Sequence, residues 1–404
     1  MAYQVERINT PVSTGELERR WAAVRAAMQE RKIDALLMQN NNDHMGGYVK
    51  YFTDLPATFG YPVTVVFPRD ERMSVISQGA IGAVAELPPE GDGLRRGVKA
   101  SMTTSSFASA PYSLVYDAEL AERALAPYAS GTIGLVGLGT LPVSLVDYLK
   151  RGKLSKARWV DASDLVDAIK VIKSDEELAL IRRTAAVQDA AMEAAFAAIR
   201  PGMRESEVAA VAEHAVHSGG GEQGIYLCSS MPGKVTPGQA VWQANKHLQA
   251  RVLREGDVFT LLTETNGPGG QYTELGRTCV LGKAPQELKD EFAFLLEARR
   301  FTLERLVPGA SCKEIWDSYN AFMRGHGKPE EQRLYCHGQG YDLVERPLVR
   351  FDEPMPIRKN MNIACHPNWL SPRFFNSITD NYLIGDSGVS EHIHKFPEKI
   401  VELG

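Results

Sequence analysis

Apolar and polar residues follow two different periods along this chain, and the change of period marks its elements. From Thr14 to Arg31 the apolar positions recur at helical spacing, Glu16 and Glu18 fall in the first turn, and Thr14 is placed to cap the helix. Residues 33–38 follow as a short apolar run of strand type. Residues 61–67 and 73–77 alternate as strands around a turn at 68–72, residues 133–137 predict a further buried strand, and 142–150 predict a short helix. Such alternation implies an α/β sheet with helices on its faces.

A new pattern begins at Ser174, where three consecutive acids (Asp175, Glu176 and Glu177) predict a helix start that the dipole favours. That helix runs to about Ile199 and stops at Pro201–Gly202. Residues 292–306, ending in Pro308–Gly309, repeat the helix–Pro-Gly–helix layout, which suggests two similar halves with an internal pseudo-twofold. At 404 residues the chain is long for one core. Two domains are expected, 1–168 and 169–404. The glycine-rich stretches 219–224 and 267–270 lack the strand-to-helix placement and Lys-Ser/Thr of a phosphate loop, so they predict turns.

Composition narrows the function by exclusion. A net charge of -5 and a pI near 6.0 give no electrostatic reason for nucleic acid or an anionic membrane. Residues 1–10 are polar and no run of about 20 apolar residues occurs, so neither a signal peptide nor a membrane span is expected. The five cysteines (Cys228, Cys279, Cys312, Cys336 and Cys365) show no Cys-x-x-Cys spacing and predict reduced thiols, hence a cytoplasmic protein. Cys336 and Cys365 each precede a histidine, and small buried hydrophobes on strands are the expectation for both.

Residues 256–263 followed by 271–278 resemble the metal-site hairpin of the pita-bread family, which includes methionine aminopeptidase, aminopeptidase P, prolidase and creatinase. In that family two aspartates stand eleven positions apart, the second three residues before Arg-Thr. Counting from Asp257 and back from Arg277 puts Thr263 and Glu274 in these slots. Residues 335–340 resemble the Gly-His-Gly-x-Gly segment and place His337 on its liganding histidine. Residues 359–367 resemble the strand ending in Glu-Pro, with His366 in the glutamate position. Residues 377–384 resemble the last Glu-x-Thr strand, with Thr379 in the glutamate slot and Asp380 beside it. The resemblance spans almost the whole chain and implies a creatinase-type N-terminal domain followed by a pita-bread catalytic domain.

What the resemblance implies about chemistry follows from the altered slots. A dinuclear centre needs several anionic oxygens, and Glu274 with Asp380 supplies at most two, so a two-metal peptidase is not expected. Glu274, His337 and His366 form a set able to hold one Fe, Mn or Zn ion, or to move protons with no metal. Phe59-Gly60-Tyr61-Pro62 resembles creatinase's Phe-Gly-Arg-Pro, whose arginine reaches a partner's pocket to hold a carboxylate. Tyr61 in its place, with Phe59, implies a homodimer and an aromatic or neutral small molecule. Creatinase's other histidine falls at Asn245, with His247 two places on, and Trp242 is placed to wall the pocket. The family's second histidine is Val344 here, which argues against dipeptide cleavage. Glu345 and Arg277 are expected to be structural, Glu264 to face away from the pocket, and His392 and His394 to lie on a solvated loop.

The implied function is a creatinase-like hydrolase of a non-peptide C–N bond. A mononuclear lyase or oxygen-dependent enzyme on the same fold is the second possibility. A pseudoenzyme binding module, as in some histone-chaperone relatives, is the third. The Glu-His-His set argues against the third.

Overall fold

The protein, seen in a computed structural model, is described for residues 9–42, 47–56, 58, 60–233, 245–370 and 374–404. It divides into two compact units, Met1–Lys170 and Val171–Gly404.

The first unit runs α1 (Thr14–Arg31), β1 (Ala35–Asn40), α2 (Gly47–Thr53), β2 (Val63–Pro68), β3 (Met73–Gln78), β4 (Ala83–Glu86), β5 (Val98–Thr104), α3 (Leu114–Leu125), β6 (Thr132–Leu135), α4 (Val143–Arg151), β7 (Arg158–Asp161) and α5 (Ser163–Lys170). Its seven strands form one mixed sheet in the order β4-β5-β3-β2-β1-β6-β7. Leu37, Val66, Ile76 and Ile133 from the strands pack with Ala118, Leu125, Leu145 and Leu149 of α3 and α4 into one core. The helix predicted from Thr14 forms, but Ser13 caps it, its Oγ accepting the Glu16 N–H at 3.0 Å. Ser13 stands one residue outside the first helical position, where a hydroxyl can reach the third N–H of the turn.

The second unit runs α6 (Asp175–Ala198), α7 (Glu205–Ser218), β8 (Gln223–Pro232), β9 (Asp257–Asn266), β10 (Tyr272–Leu281), α8 (Gln286–Leu303), α9 (Cys312–Gly325), β11 (Cys336–Gly338), β12 (Glu345–Leu348), β13 (Asn362–Cys365), β14 (Asn368–Leu370), β15 (Phe375–Ser377), β16 (Asp380–Ile384), β17 (Val389–His392) and β18 (Val401–Leu403). Ser174 starts α6 with a reciprocal cap: its hydroxyl accepts the Glu177 N–H, and the Glu177 carboxylate accepts the Ser174 N–H. The helix-pair-then-sheet layout occurs twice. Helices α6 and α7 bury Ala191, Met192, Val208 and Ala212 against Phe259, Leu261 and Leu275 of the sheet β18-β10-β9-β8. Helices α8 and α9 do the same with Ala298, Ile315, Trp316 and Tyr319 against Cys336, Ile363 and Cys365 of the sheet β12-β11-β13-β16-β17. A backbone bridge between Gly276 of β10 and Thr379, just before β16, joins the two sheets.

Candidate active site

The β9–β10 hairpin closes through Gly267–Gly270, where Gly269 and Gly270 take φ values of 81° and 79° that a side chain would strain. Its register fixes what reaches the pocket. Glu264 pairs with Glu274, and Thr263 pairs with Leu275. Directly opposite residues share a face and neighbours along a strand do not. Glu264 therefore lies beside Glu274, and Thr263 lies on the helix-covered face.

This corrects two expectations at once. Thr263 is wholly buried, its hydroxyl donating to the Leu275 carbonyl at 3.3 Å, while the Gln188 amide from α6 donates to the carbonyls of Thr263 and Thr273. Glu264 does not face away, and it is the residue that counting along the sequence missed. The glycine turn leaves ten positions between the paired acids, not eleven, and a shift of one residue exchanges the faces of a strand. The run Thr263-Glu264-Thr265 held the signal, because only one phase of the alternation puts an acid opposite an acid.

Three other strands complete the pocket face. His337 on β11 and Asn381 on β16 both pair with Ala364 on β13, and His366 follows β13 with its N–H bonded to the Tyr335 carbonyl at 2.8 Å. Glu274 Oε1 lies 3.8 Å from His337 Nε2 and 3.7 Å from His366 Nε2, and the two imidazoles stand edge to face with centroids 5.1 Å apart. Glu274 and His337 are each 2% exposed, while the His366 side chain is 15% exposed and marks the way in. His337 Nδ1 donates to the Gly338 carbonyl at 2.8 Å, so the neutral ring presents a bare Nε2 lone pair to the pocket. The Asn381 side chain accepts the Glu274 N–H at 2.8 Å and donates to Gln339 Oε1 and Asn362 Oδ1, tying three segments to the strand that carries the acid.

Electrostatics follow from burial. The His337 pKa is lowered to about 4 by desolvation, and that of His366 falls well below its usual value through desolvation and the neighbouring imidazole. Burial raises Glu264 to about 7. Burial, then the charge of Glu264, raises Glu274 well above the ordinary carboxyl range. Near neutral pH burial thus keeps the imidazoles neutral and shifts both carboxyls toward their protonated forms. Glu274 Oε1 and Thr379 Oγ1 are buried without a hydrogen-bond partner. Among the described residues, Glu274, His337 and His366 present ligand atoms all within 4.8 Å of one another. The unpartnered Oε1 and the bare Nε2 of His337 are donor atoms suited to one divalent ion.

Several other candidates of the second unit lie elsewhere. Asp380 points to the other side of β16, opposite Cys365, and pairs with Arg277 at 2.7 Å, with Arg299, and with His392 Nε2 at 3.0 Å. It therefore adds no carboxylate to the pocket, while Arg277 has the structural partner expected of it. His392 and His394 are not on a solvated loop. His392 stacks on Tyr382 and His394 is 1% exposed, because Asp189 and Arg277 hold the backbone around them. Glu345 forms a buried ion pair with Lys173 at 2.8 Å. Val344 is 45% exposed. Cys336 and Cys365 face one another across the strands within the helix-covered core. His247 is exposed on the loop before β9, its N–H bonded to Asn245, and lies outside the Glu274–His337–His366 set. Tyr61, in the first unit, is 46% exposed and meets Phe107 edge-on at 6.2 Å. Phe59 and Trp242 lie outside the described residues.

The sequence profile of metallopeptidase family M24 matches residues 179–390. An uncharacterized hydrolase/peptidase of Sinorhizobium fredii is 27% identical over 405 residues, covering 95% of this chain and 96% of its own. Creatinase from a Bacillus species is 24% identical over 372 residues, covering 90% of this chain and 83% of the enzyme. Among solved structures, the X-Pro aminopeptidase of Thermotoga maritima superposes with a TM-score of 0.75 at 18% identity, over 95% of this chain and 99% of that one.

Proposed function

The chain belongs to metallopeptidase family M24, and within this family of hydrolases we propose that it cleaves a C–N bond of a small, non-peptide molecule. The observation that carries this reading is the pocket's donor set. His366 and Thr379 stand on the pocket face where the pita-bread peptidases carry glutamates, and the two carboxyls found there among the described residues, Glu264 and Glu274, come from one hairpin. A pair of dications is poorly served by so few anionic oxygens.

The residues present suit hydrolysis by proton transfer. The bare Nε2 of His337 takes a proton from water as its oxygen attacks the substrate carbon. Protonated Glu274 then supplies a proton to the departing nitrogen, which leaves as a neutral amine. His366 borders the same oxygen of Glu274 and keeps a second neutral acceptor at the pocket opening. If Glu274, His337 and His366 hold a single divalent ion, it would add Lewis-acid polarisation of the scissile group. The three-residue ligand set is also what favours the second reading, a mononuclear lyase or oxygen-dependent enzyme. The exposed Tyr61 fits a role at a homodimer interface, and a cytoplasmic setting agrees with the thiol content.

The test is direct. Xaa-Pro dipeptides and Met-initiated peptides, assayed with added cobalt or manganese, are expected to show turnover far below ~1 s⁻¹. Elemental analysis of protein purified without chelator is expected to find at most about one transition metal per chain. Peptide turnover at ordinary rates, or two metals per chain, refutes the reading.

A further inference from the structure

Strands β11 and β13 run antiparallel with Cys336 directly opposite Cys365. Two backbone bonds fix the kind of pairing. The His366 N–H donates to the Tyr335 carbonyl at 2.8 Å, and the Gln339 N–H donates to the Asn362 carbonyl at 3.0 Å. The hydrogen-bonded pairs are therefore 335–366, 337–364 and 339–362, and the cysteines form a non-hydrogen-bonded pair between them. Such a pair brings its Cα atoms to about 4.5 Å and its side chains closer than the alternate pair does. That lies within the roughly 4.4–6.8 Å over which a disulfide closes without backbone movement. The two thiols already touch, in side-chain hydrogen-bonding contact. The other cysteines are placed differently. Cys228 and Cys279 stand on β8 and β10 with β9 between them, and the Cys312 thiol on α9 donates to the Met355 carbonyl at 3.2 Å. Cys336 and Cys365 are each followed by a histidine of the site, His337 or His366, while their sulfurs lie in the helix-covered core.

We propose that Cys336 and Cys365 form a modification site, a dithiol that hydrogen peroxide oxidises to a reversible cross-strand disulfide tying β11 to β13. The inference is independent of the hydrolase reading. One cysteine sulfur attacks a peroxide oxygen, the O–O bond breaks, and a first water leaves, giving a sulfenic acid. The other sulfur attacks that sulfur, the S–O bond breaks, and a second water leaves with the remaining thiol proton. The sulfurs together give up the two electrons that the peroxide gains, and a small thiol reverses the bond by exchange. Both side chains are wholly buried, so the oxidant reaches them only when the strands part. The reaction is accordingly slow, on the order of minutes to hours. Once closed, the bond opposes that same parting and holds the backbone before His337 against the backbone before His366. Oxidant is thereby registered as a stiffening of the strands that lead into both histidines.

Hydrogen peroxide, applied to the full chain in native buffer, is the probe. After an acid quench the remaining thiols are alkylated in urea and the chain is digested for mass spectrometry. The expected product is a linked peptide pair joining Cys336 to Cys365, lighter by two hydrogen atoms than the free peptides, with Cys228, Cys279 and Cys312 alkylated. Dithiothreitol should remove the link. Hydrogen exchange of the backbone amides at 336–338 and 362–365 is expected to slow about tenfold or more in the linked form. Cys365→Ala should abolish both the link and the slowing, whereas Cys312→Ala should keep both. Should Cys365→Ala fail to fold, the linked peptide from the parent chain decides alone. Thiols still free after a day in excess peroxide, sulfinic acids without a link, or a link to Cys312 would each overturn the proposal. So would a link that forms only above the urea midpoint of unfolding, or unchanged exchange in the linked form.

Discussion

Glu264 is half-buried opposite Glu274, and burial raises its pKa to about 7. A carboxyl whose folded-state pKa exceeds its unfolded value keeps its proton in the fold after the unfolded chain has lost it. Stability therefore falls as pH rises from about 4.5 through about 7. Glu264→Gln removes that penalty. Its thermal midpoint is expected to match the parent near pH 4 and to exceed it at pH 8, by up to about 3 kcal/mol in stability. A scanning calorimetry pair at the two pH values measures this, and an equal midpoint at pH 8 would mean that Glu264 is not buried beside Glu274. The same scale governs His337. With its Nε2 held as the bare acceptor, His337→Ala should lower turnover by about 10²–10⁴ while the chain stays folded, read by steady-state assay on the first substrate found.

At the level of the element, the hairpin turn sets which side chains count. Because Gly267–Gly270 pairs Glu264 rather than Thr263 with Glu274, Thr263→Val should retain activity and change stability by less than about 1.5 kcal/mol. A large loss of turnover in Thr263→Val would return the slot to Thr263. Asn381 is the matching case on β16, where one buried amide holds the Glu274 backbone and two other strand segments. Asn381→Ala strands the Glu274 N–H and should destabilise the protein by about 1–3 kcal/mol, measured by urea unfolding. The helices are easier to read from sequence than these strand faces. Ser174 with its acids marks the start of α6 locally, through groups three residues apart, whereas the face of a strand depends on its register with a partner strand.

At the scale of the whole molecule, a buried charge network forms on the other side of β16 from the pocket, where Asp380 meets Arg277, Arg299 and His392. Despite its burial, these partners hold the Asp380 carboxyl well below the usual range. Its contribution is present above the unfolded carboxylate pKa and is lost only as pH falls through the depressed folded value, so it supports the fold down to strongly acid pH. Asp380→Asn leaves two arginines without their shared anion and should cost about 3–5 kcal/mol near neutral pH. The sequence alone determined the start of α6 at Ser174 and the glycine turn of the β9–β10 hairpin, because capping and glycine turns are local. Tertiary structure decided that Glu264 and not Thr263 joins Glu274, His337 and His366, that Asp380 does not, and that His394 is buried. The first depends on the register of the hairpin, where a shift of one residue exchanges the faces, and the others depend on contacts between residues about a hundred or more positions apart, for which no local pattern exists.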